Sequence, residues 1–359
     1  MRQARRHHTI RPRRCGGNGG VRRIDSRQFV VAGHAALRSA APPGSACDCA
    51  CGWQRRVAEL PSLVPALVVV AATLATLALL RGLFHRRVRA SLAAPRIPND
   101  RTPADCGLRF ETVRIGTGNR RTLHGWLIAP TASARLPVPA AIVMHGWGGN
   151  AAVMLPLARP LHEAGFAALF IDARCHGASD DDSFASLPRF AEDVEHALTW
   201  LAARPEIVAG QVALVGHSVG AGAVLLAASR REEVAAVVCV AAFSHPAEVM
   251  RGWLAARRIP EWPVGRYILE YVQQTIGHRF DDIAPVNTIA RVRCPVLLVH
   301  GSDDDVVPLS DAHRIHDARA HQAVELLVLA GEHDSFADLD CHLERLVRFL
   351  RDSLSPGTA

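Results

Sequence analysis

Ser218 stands between two glycines in the segment VALVGHSVGAGAVLLAA, residues 212–228. An apolar strand-like run leads up to Gly216, and an alanine-rich run of helical composition follows Gly220. A serine on a sharp turn between a strand and a helix exposes its hydroxyl, and glycines leave room where larger side chains would collide. The helix N-terminus also favours developing negative charge. The pattern predicts that Ser218 is a nucleophile.

A serine hydroxyl needs a base that removes its proton. His333 stands in GEHDSF, directly after the last strand-like run. His342 falls in the final helical segment, and three further histidines lie in or beside the preceding helical segment: His313, His316 and His321. We predict that His333 is the general base and that the other four have surface or packing roles.

The base in turn needs a carboxylate that orients its ring and stabilises its charged form. Three adjacent aspartates in GSDDDVVP compete for this role: Asp303, Asp304 and Asp305. An acyl-transfer site also needs backbone N–H donors for the oxyanion. The glycine-rich segment HGWGGN, residues 145–150, is a loop that can approach a substrate closely.

Short apolar runs alternate with amphipathic segments from about residue 105 onward. FETVRI and TLHGWLIAP flank the turn GTGN and are predicted to form a hairpin. Strand-like runs then cover residues 140–145, 167–172, 212–217, 235–242, 295–300 and 324–330. Runs this continuously apolar are buried on both faces of a parallel sheet covered by helices. The sequence therefore predicts an α/β fold with a mostly parallel central sheet flanked by helices. The polar motifs follow the strands, at the sheet edge where such folds place active sites.

Five motifs in order carry a resemblance to the α/β-hydrolase superfamily over about residues 105–353: HGWGGN, DARCHGASD, GHSVG, GSDDDVVP and GEHDSF. The chain is most similar to bacterial esterases and serine-aminopeptidase-like hydrolases with a small lid. The resemblance implies a triad of Ser218, Asp304 and His333, because relatives have the acid two variable residues after His-Gly and the chain order is serine, acid, histidine.

The resemblance also implies an oxyanion hole made by the backbone amides of Trp147 and Val219. Relatives often have glycine at the position of Cys175. We expect structural roles for four polar residues near these motifs: Asp172, His176, His217 and His300.

Residues 245–283 fit a small helical lid that contains both tyrosines of the chain and Trp253 and Trp262. These aromatics line an apolar acyl pocket or fix the lid to the core. The sequence predicts a serine hydrolase that cleaves ester or thioester bonds of a small-molecule acyl substrate. Two alternatives stay open: a serine-aminopeptidase-like peptidase, with Glu261 and Glu270 as weak candidates for holding a peptide amino terminus, and a catalytically silent binding module.

Charge and cysteine usage argue against a nucleic-acid-binding protein and against a cysteine metal site. The net charge of +7 comes from an arginine-rich arm over residues 1–60, and no reading motif for nucleic acid accompanies it. The nine cysteines are scattered apart from CDCAC, residues 47–51, which lacks a second cluster for a metal. Neither a G-x-G-x-x-G spacing nor a metal constellation is found, so we expect no cofactor.

The N-terminal part of the chain predicts a membrane anchor. Residues 1–60 lack apolar periodicity and are expected to be disordered or to precede the true translation start. Eighteen uncharged residues, 63–80, make about 27 Å of helix, so we predict a single transmembrane helix over 61–84. More arginines follow this run than precede it, which predicts a catalytic domain facing the cytoplasm. The oligomeric state is left open.

Overall fold

The computed structural model describes residues 60–131, 134–335 and 339–354. The predictions for the arginine-rich arm and for CDCAC concern residues outside these ranges. The strands of the described chain are β1 Phe110–Thr117, β2 Arg121–Ile128, β3 Val138–Met144, β4 Ala167–Ile171, β5 Ile207–His217, β6 Val234–Val240, β7 Val296–Gly301 and β8 Val324–Leu329. The α-helices are α1 Leu60–Ser91, α2 Ala158–Glu163, α3 Leu187–Ala202, α4 Val219–Ala228, α5 Pro246–Ala256, α6 Arg266–Ile276, α7 Phe280–Ile283, α8 Pro285–Thr288, α9 Leu309–Asp317 and α10 Leu339–Leu354.

All eight strands form one sheet in the order β1-β2-β4-β3-β5-β6-β7-β8. The β1–β2 and β2–β4 pairs are antiparallel, and every other neighbouring pair is parallel. The predicted α/β fold with an antiparallel start is therefore confirmed. The parallel strands all end at one edge, which is where the loops carrying the polar motifs leave the sheet.

Successive residues of the central strands enter two separate cores because strand side chains alternate between the two faces of a sheet. On β3, Ile142 packs with residues of α3 and α4, whereas its neighbour Val143 packs with residues of α2 and α10. Both side chains are fully buried. Burial on both faces explains why these strands read as unbroken apolar runs, and it fixes the strand ends that carry the site.

Helix α1 contains a segment, Leu63–Ser91, that is long and apolar enough to cross a membrane. Its most apolar 18-residue stretch has a mean hydropathy of 2.5, and none of that stretch is buried within the protein. The helix continues past residue 84 to Ser91. Its last turns differ from the apolar run, since Val88 is buried in a small cluster with Leu254 and Ile268. The end of α1 thus packs against helices α5 and α6.

The segment between β6 and β7 contains α5, a single π-helical turn over Glu261–Gly265, α6 and the short α7 and α8. We call residues 246–276 of this segment the lid. It leaves the sheet at the carboxyl end of β6, two strand positions from the end of β3 and next to the end of β5. The lid therefore begins at the edge that carries Ser218.

Candidate active site

The turn at Ser218 is tight enough to require both flanking glycines. Ser218 has φ +54° and ψ −116°, an uncommon backbone conformation for a residue other than glycine. A Cβ atom on Gly216 would lie 2.3 Å from the carbonyl oxygen of Gly220, and one on Gly220 would lie 2.4 Å from that of His145. The serine amide donates to the carbonyl of Val240 at 2.8 Å, which ties the strained turn to β6.

Three loops at the carboxyl edge bring a serine, a histidine and an aspartate into one hydrogen-bonded chain. His333 Nε2 lies 3.1 Å from Ser218 Oγ, and His333 Nδ1 lies 2.8 Å from Asp304 Oδ2. The Asp304 side chain is completely buried, and that of His333 is 10% exposed. With Nδ1 donating to the carboxylate, Nε2 is the acceptor that a serine proton requires.

The other candidates for acid and base lie elsewhere. Asp303 and Asp305 are exposed, whereas Asp304 Oδ1 accepts the amides of Val306 and Val307 at 3.0 and 2.7 Å. These two hydrogen bonds hold the carboxylate towards His333, while the buried His300 ring, 3.4 Å from Asp304 Oδ2, is itself hydrogen-bonded to the Val307 carbonyl at 2.8 Å. The structure thus brings Asp304 to His333 and leaves its two neighbours in solvent.

Val219 and the loop that contains Trp147 both lie beside Ser218. Val219 opens α4 directly after Ser218. The loop 145–150, here called the oxyanion loop, passes close to the serine, because a Cβ atom on Gly146 would lie 3.1 Å from Ser218 Cβ. No acceptor among the described residues takes the amide hydrogen of Trp147 or Val219. Both donors are therefore available to a ligand.

A buried carboxylate, that of Asp172, is hydrogen-bonded to the chain directly after the oxyanion loop and to the loop after β4. Asp172, expected to be structural, accepts the Ala151 amide at 2.6 Å with Oδ1 and the Ala178 amide at 2.8 Å with Oδ2. Burial opposes its ionisation, but hydrogen bonds from His124 and these two amides outweigh burial and hold the pKa of Asp172 below its usual range. The charged group fixes the loops after β3 and β4 to each other.

The chain between α1 and β1 also contacts this loop, and the sequence analysis did not select any of these residues. Asn99 Nδ2 donates to Asp172 Oδ2 at 2.8 Å. Asn150 Nδ2 donates to the carbonyls of Ile97 and Pro98, both at 3.1 Å. Single polar residues in a segment without periodicity carry no sequence signal of such contacts.

Cys175, where relatives often have glycine, has φ +67°. Glycine adopts this left-handed conformation without a steric penalty, whereas a residue with a Cβ atom loses about 1–2 kcal/mol. The thiol Sγ accepts the Asp182 amide at 3.2 Å. The departure from the family pattern is thus a local strain in the loop after β4, outside the Ser218, His333 and Asp304 chain.

His145, the first residue of the oxyanion loop, is a neutral imidazole. Its Nδ1 donates to the carbonyl of Gly146 at 2.7 Å, and its Nε2 accepts the Ala173 amide at 3.0 Å, which a protonated ring cannot do. Complete burial, with the nearby His176 as a second cause, lowers the pKa of His145 to about 4. The neutral ring joins the oxyanion loop to the loop after β4.

We expect this histidine to make the protein less stable in acid. Because the pKa of His145 is about 4 folded against 6.5 in the unfolded chain, unfolded protein binds more protons between these values. Its stabilising contribution of about 3 kcal/mol is complete above pH about 6.5 and is lost as the pH falls towards 4. Thermal unfolding of the full chain between pH 7.5 and 4.5 should show a smaller pH dependence in His145→Gln than in the wild type. The exposed His313→Gln is the control, and an unchanged pH dependence in His145→Gln contradicts the assignment.

His217, Asp334 and His333 place possible metal-ligand atoms within 4.8 Å of one another. Both ring nitrogens of His333 already have partners in Asp304 and Ser218. His217 Nε2 lies 3.0 Å from the His333 carbonyl oxygen, and burial lowers the pKa of His217. This geometry matches a neutral histidine that donates to the His333 backbone, and so a structural role.

Comparison with known proteins agrees with this architecture. Residues 137–281 match the family model described as serine aminopeptidase, S33. The protein YfhR of Escherichia coli is 26% identical over 265 residues, which cover 72% of this chain and 87% of YfhR. The protein Rv2307c of Mycobacterium tuberculosis is 28% identical over 247 residues, 68% of this chain and 80% of the relative.

Two solved structures share the fold. The esterase Pf2001 of Pyrococcus furiosus superposes with a TM-score of 0.58 at 21% identity, covering 73% of this chain and 97% of the esterase. The α/β-hydrolase GrgF of Penicillium superposes with a TM-score of 0.55 at 23% identity, covering 69% of this chain and 100% of GrgF. The sheet order and these similarities agree, and the chain has the α/β-hydrolase fold.

Proposed function

We propose that the protein is a serine hydrolase that cleaves ester or thioester bonds through an acyl-enzyme intermediate. The observation that carries the proposal is the hydrogen-bonded chain from Asp304 through His333 to Ser218. The strained φ of Ser218 supports it as well, because strain of about 1–3 kcal/mol is typical of functional turns and serves no purpose in a silent binding module.

In the proposed reaction, His333 Nε2 takes the Ser218 proton while Oγ attacks the acyl carbon. The amides of Trp147 and Val219 donate to the oxyanion of the tetrahedral intermediate. When the intermediate collapses, the bond to the leaving alcohol or thiol breaks and His333 returns the proton to that group. Water then attacks the acyl-enzyme while His333 Nε2 takes its proton. The bond between the acyl carbon and Ser218 Oγ breaks, His333 returns the proton to Oγ, and the carboxylic acid is released.

The lid favours an ester substrate over a peptide. An aminopeptidase needs a carboxylate that is available to the substrate's amino terminus. Glu261 is already paired with Arg251 at 3.3 Å, and Glu270 is exposed and accepts from Gln274 at 3.1 Å. The described lid thus offers no unpaired, buried carboxylate for a peptide amine.

The test compares substrates on the full chain in detergent. We expect hydrolysis of p-nitrophenyl butyrate at a rate well above that of aminoacyl p-nitroanilides, and we expect a fluorophosphonate probe to label Ser218, mapped by peptide mass spectrometry. Faster cleavage of the anilides would favour the peptidase. Absence of both turnover and labelling would favour the binding module.

We also propose that α1 is a retained single-pass anchor for a hydrolase domain at about 105–353, rather than a cleaved signal sequence. Cleavage after α1 would remove His85, which stacks on Tyr271 with ring centroids 3.9 Å apart, and the buried Val88. Arginines 81, 86, 87, 89 and 96 follow the apolar run, which favours a cytoplasmic hydrolase domain. Protease protection in sealed vesicles tests this orientation.

A further inference from the structure

The lid exposes a group of apolar side chains, one of which contacts the end of α1. Trp262 is 73% exposed, Tyr267 43% and Val264 38%. All three belong to the π-helical turn and the first residues of α6. Isolated apolar residues on a protein surface need no explanation, but a neighbouring group that includes Trp and Tyr is typical of an interaction site.

Contacts between α1 and the lid place Tyr267 beside residues 84 and 85 of the helix. The rings of Phe84 and Tyr267 lie 5.8 Å apart, and His85 Nε2 lies 2.6 Å from the Tyr267 hydroxyl. From Leu80, the end of the uncharged run, to Phe84 the helix rises about 6 Å. The polar layer on each side of a bilayer is about 5–8 Å thick. Tyr267 therefore lies at headgroup depth when residues 63–80 span the hydrocarbon.

Charge around the group is also suited to a lipid surface. Residues 81–91 and the lid together contain eight arginines and three glutamates. All eight arginines are exposed, among them Arg258 and Arg266 on either side of the π-helical turn. Aromatic residues surrounded by arginines match the interfacial layer of an anionic membrane, where each basic residue near the surface adds about 1 kcal/mol of attraction.

We propose that the lid docks on the anionic membrane leaflet from which α1 emerges, with Trp262, Val264 and Tyr267 in the interfacial layer. The inference rests on the proposed anchor and not on the proposed chemistry. Docking holds the lid of the hydrolase domain against the bilayer, so esters dissolved in that leaflet are the substrates nearest to the site.

The experiment uses the full chain in nanodiscs of phosphatidylglycerol and phosphatidylcholine, with and without brominated acyl chains. Bromine quenches only those tryptophans that lie at the membrane. We expect brominated lipid to quench the wild type more than Trp262→Phe, because the variant lacks the quenched fluorophore. Trp200 lies on helix α3, which packs on the sheet, and its ring centre is 4.9 Å from the Arg204 guanidinium. The control variant Trp200→Phe should therefore show the same quenching as the wild type.

The charge contribution is tested by the double variant Arg258→Glu, Arg266→Glu, which should lose Trp262 quenching in phosphatidylglycerol discs. Equal absolute quenching of the wild type and Trp262→Phe would overturn the proposal. Shielding of Trp262 from iodide without quenching by bromine would also overturn it, because protein and not lipid would then cover Trp262. Alkaline carbonate extraction checks the anchor, and p-nitrophenyl butyrate turnover checks the chemistry, so failure of either is distinguishable from failure of docking.

Discussion

We expect Ser218→Ala to lower the turnover number for p-nitrophenyl butyrate by about a millionfold, the scale seen when the nucleophile of a serine triad is removed. In the proposed reaction, the hydroxyl 3.1 Å from His333 Nε2 is the atom that forms the acyl-enzyme, and alanine has no atom to replace it. Residual hydrolysis comes from the oxyanion donors and substrate binding alone. Stopped assays at several enzyme concentrations measure the decrease, and fluorophosphonate labelling disappears with it.

Ser229→Ala is the matched control at the other end of helix α4. Its hydroxyl donates to the Leu226 carbonyl at 2.8 Å within the helix, far along the chain from the nucleophile turn. We expect turnover within twofold of the wild type. Ser218→Ala with turnover near the wild-type value, in protein with an unchanged melting temperature, would refute the assignment of the nucleophile.

The sheet and the strained turn at Ser218 were predictable because each leaves a local pattern. Central strands are apolar at every position, since Ile142 and Val143 enter different cores. The turn needs glycine at 216 and 220, since any Cβ atom there would lie within 2.5 Å of a backbone oxygen. Steric requirements of this kind restrict residue types within a few positions, and a single sequence shows them.

Contacts that join distant segments were not predictable in the same way. Asn99 meets Asp172 across 73 residues, and His85 meets Tyr267 across 182. Neither contact imposes a periodicity or a fixed spacing on the chain. The support of the oxyanion loop by the segment after α1, and the packing of α1 on the lid, follow only from the folded chain.

The aspartate cluster shows the same limit inside the candidate site. Asp303, Asp304 and Asp305 are chemically identical, and residue type alone cannot distinguish them. The folded loop distinguishes them by burial, because two amides and His333 surround Asp304 while its neighbours face solvent. Asp303 and Asp305 can therefore serve as control positions when the role of Asp304 is tested by mutation.

We expect Asp304→Asn to lower the turnover number by about 10⁴-fold, the effect of this change in a serine triad. An asparagine NH2 group facing His333 Nδ1 donates a hydrogen bond to it, so Nε2 carries the ring hydrogen and cannot accept the serine proton. Asp303→Asn and Asp305→Asn should remain within twofold of the wild type, because both side chains are exposed. Turnover numbers of the three purified variants on one ester measure the difference. A large loss in Asp303→Asn or Asp305→Asn, with little in Asp304→Asn, would move the acid to that neighbour and require the loop to rearrange during the reaction.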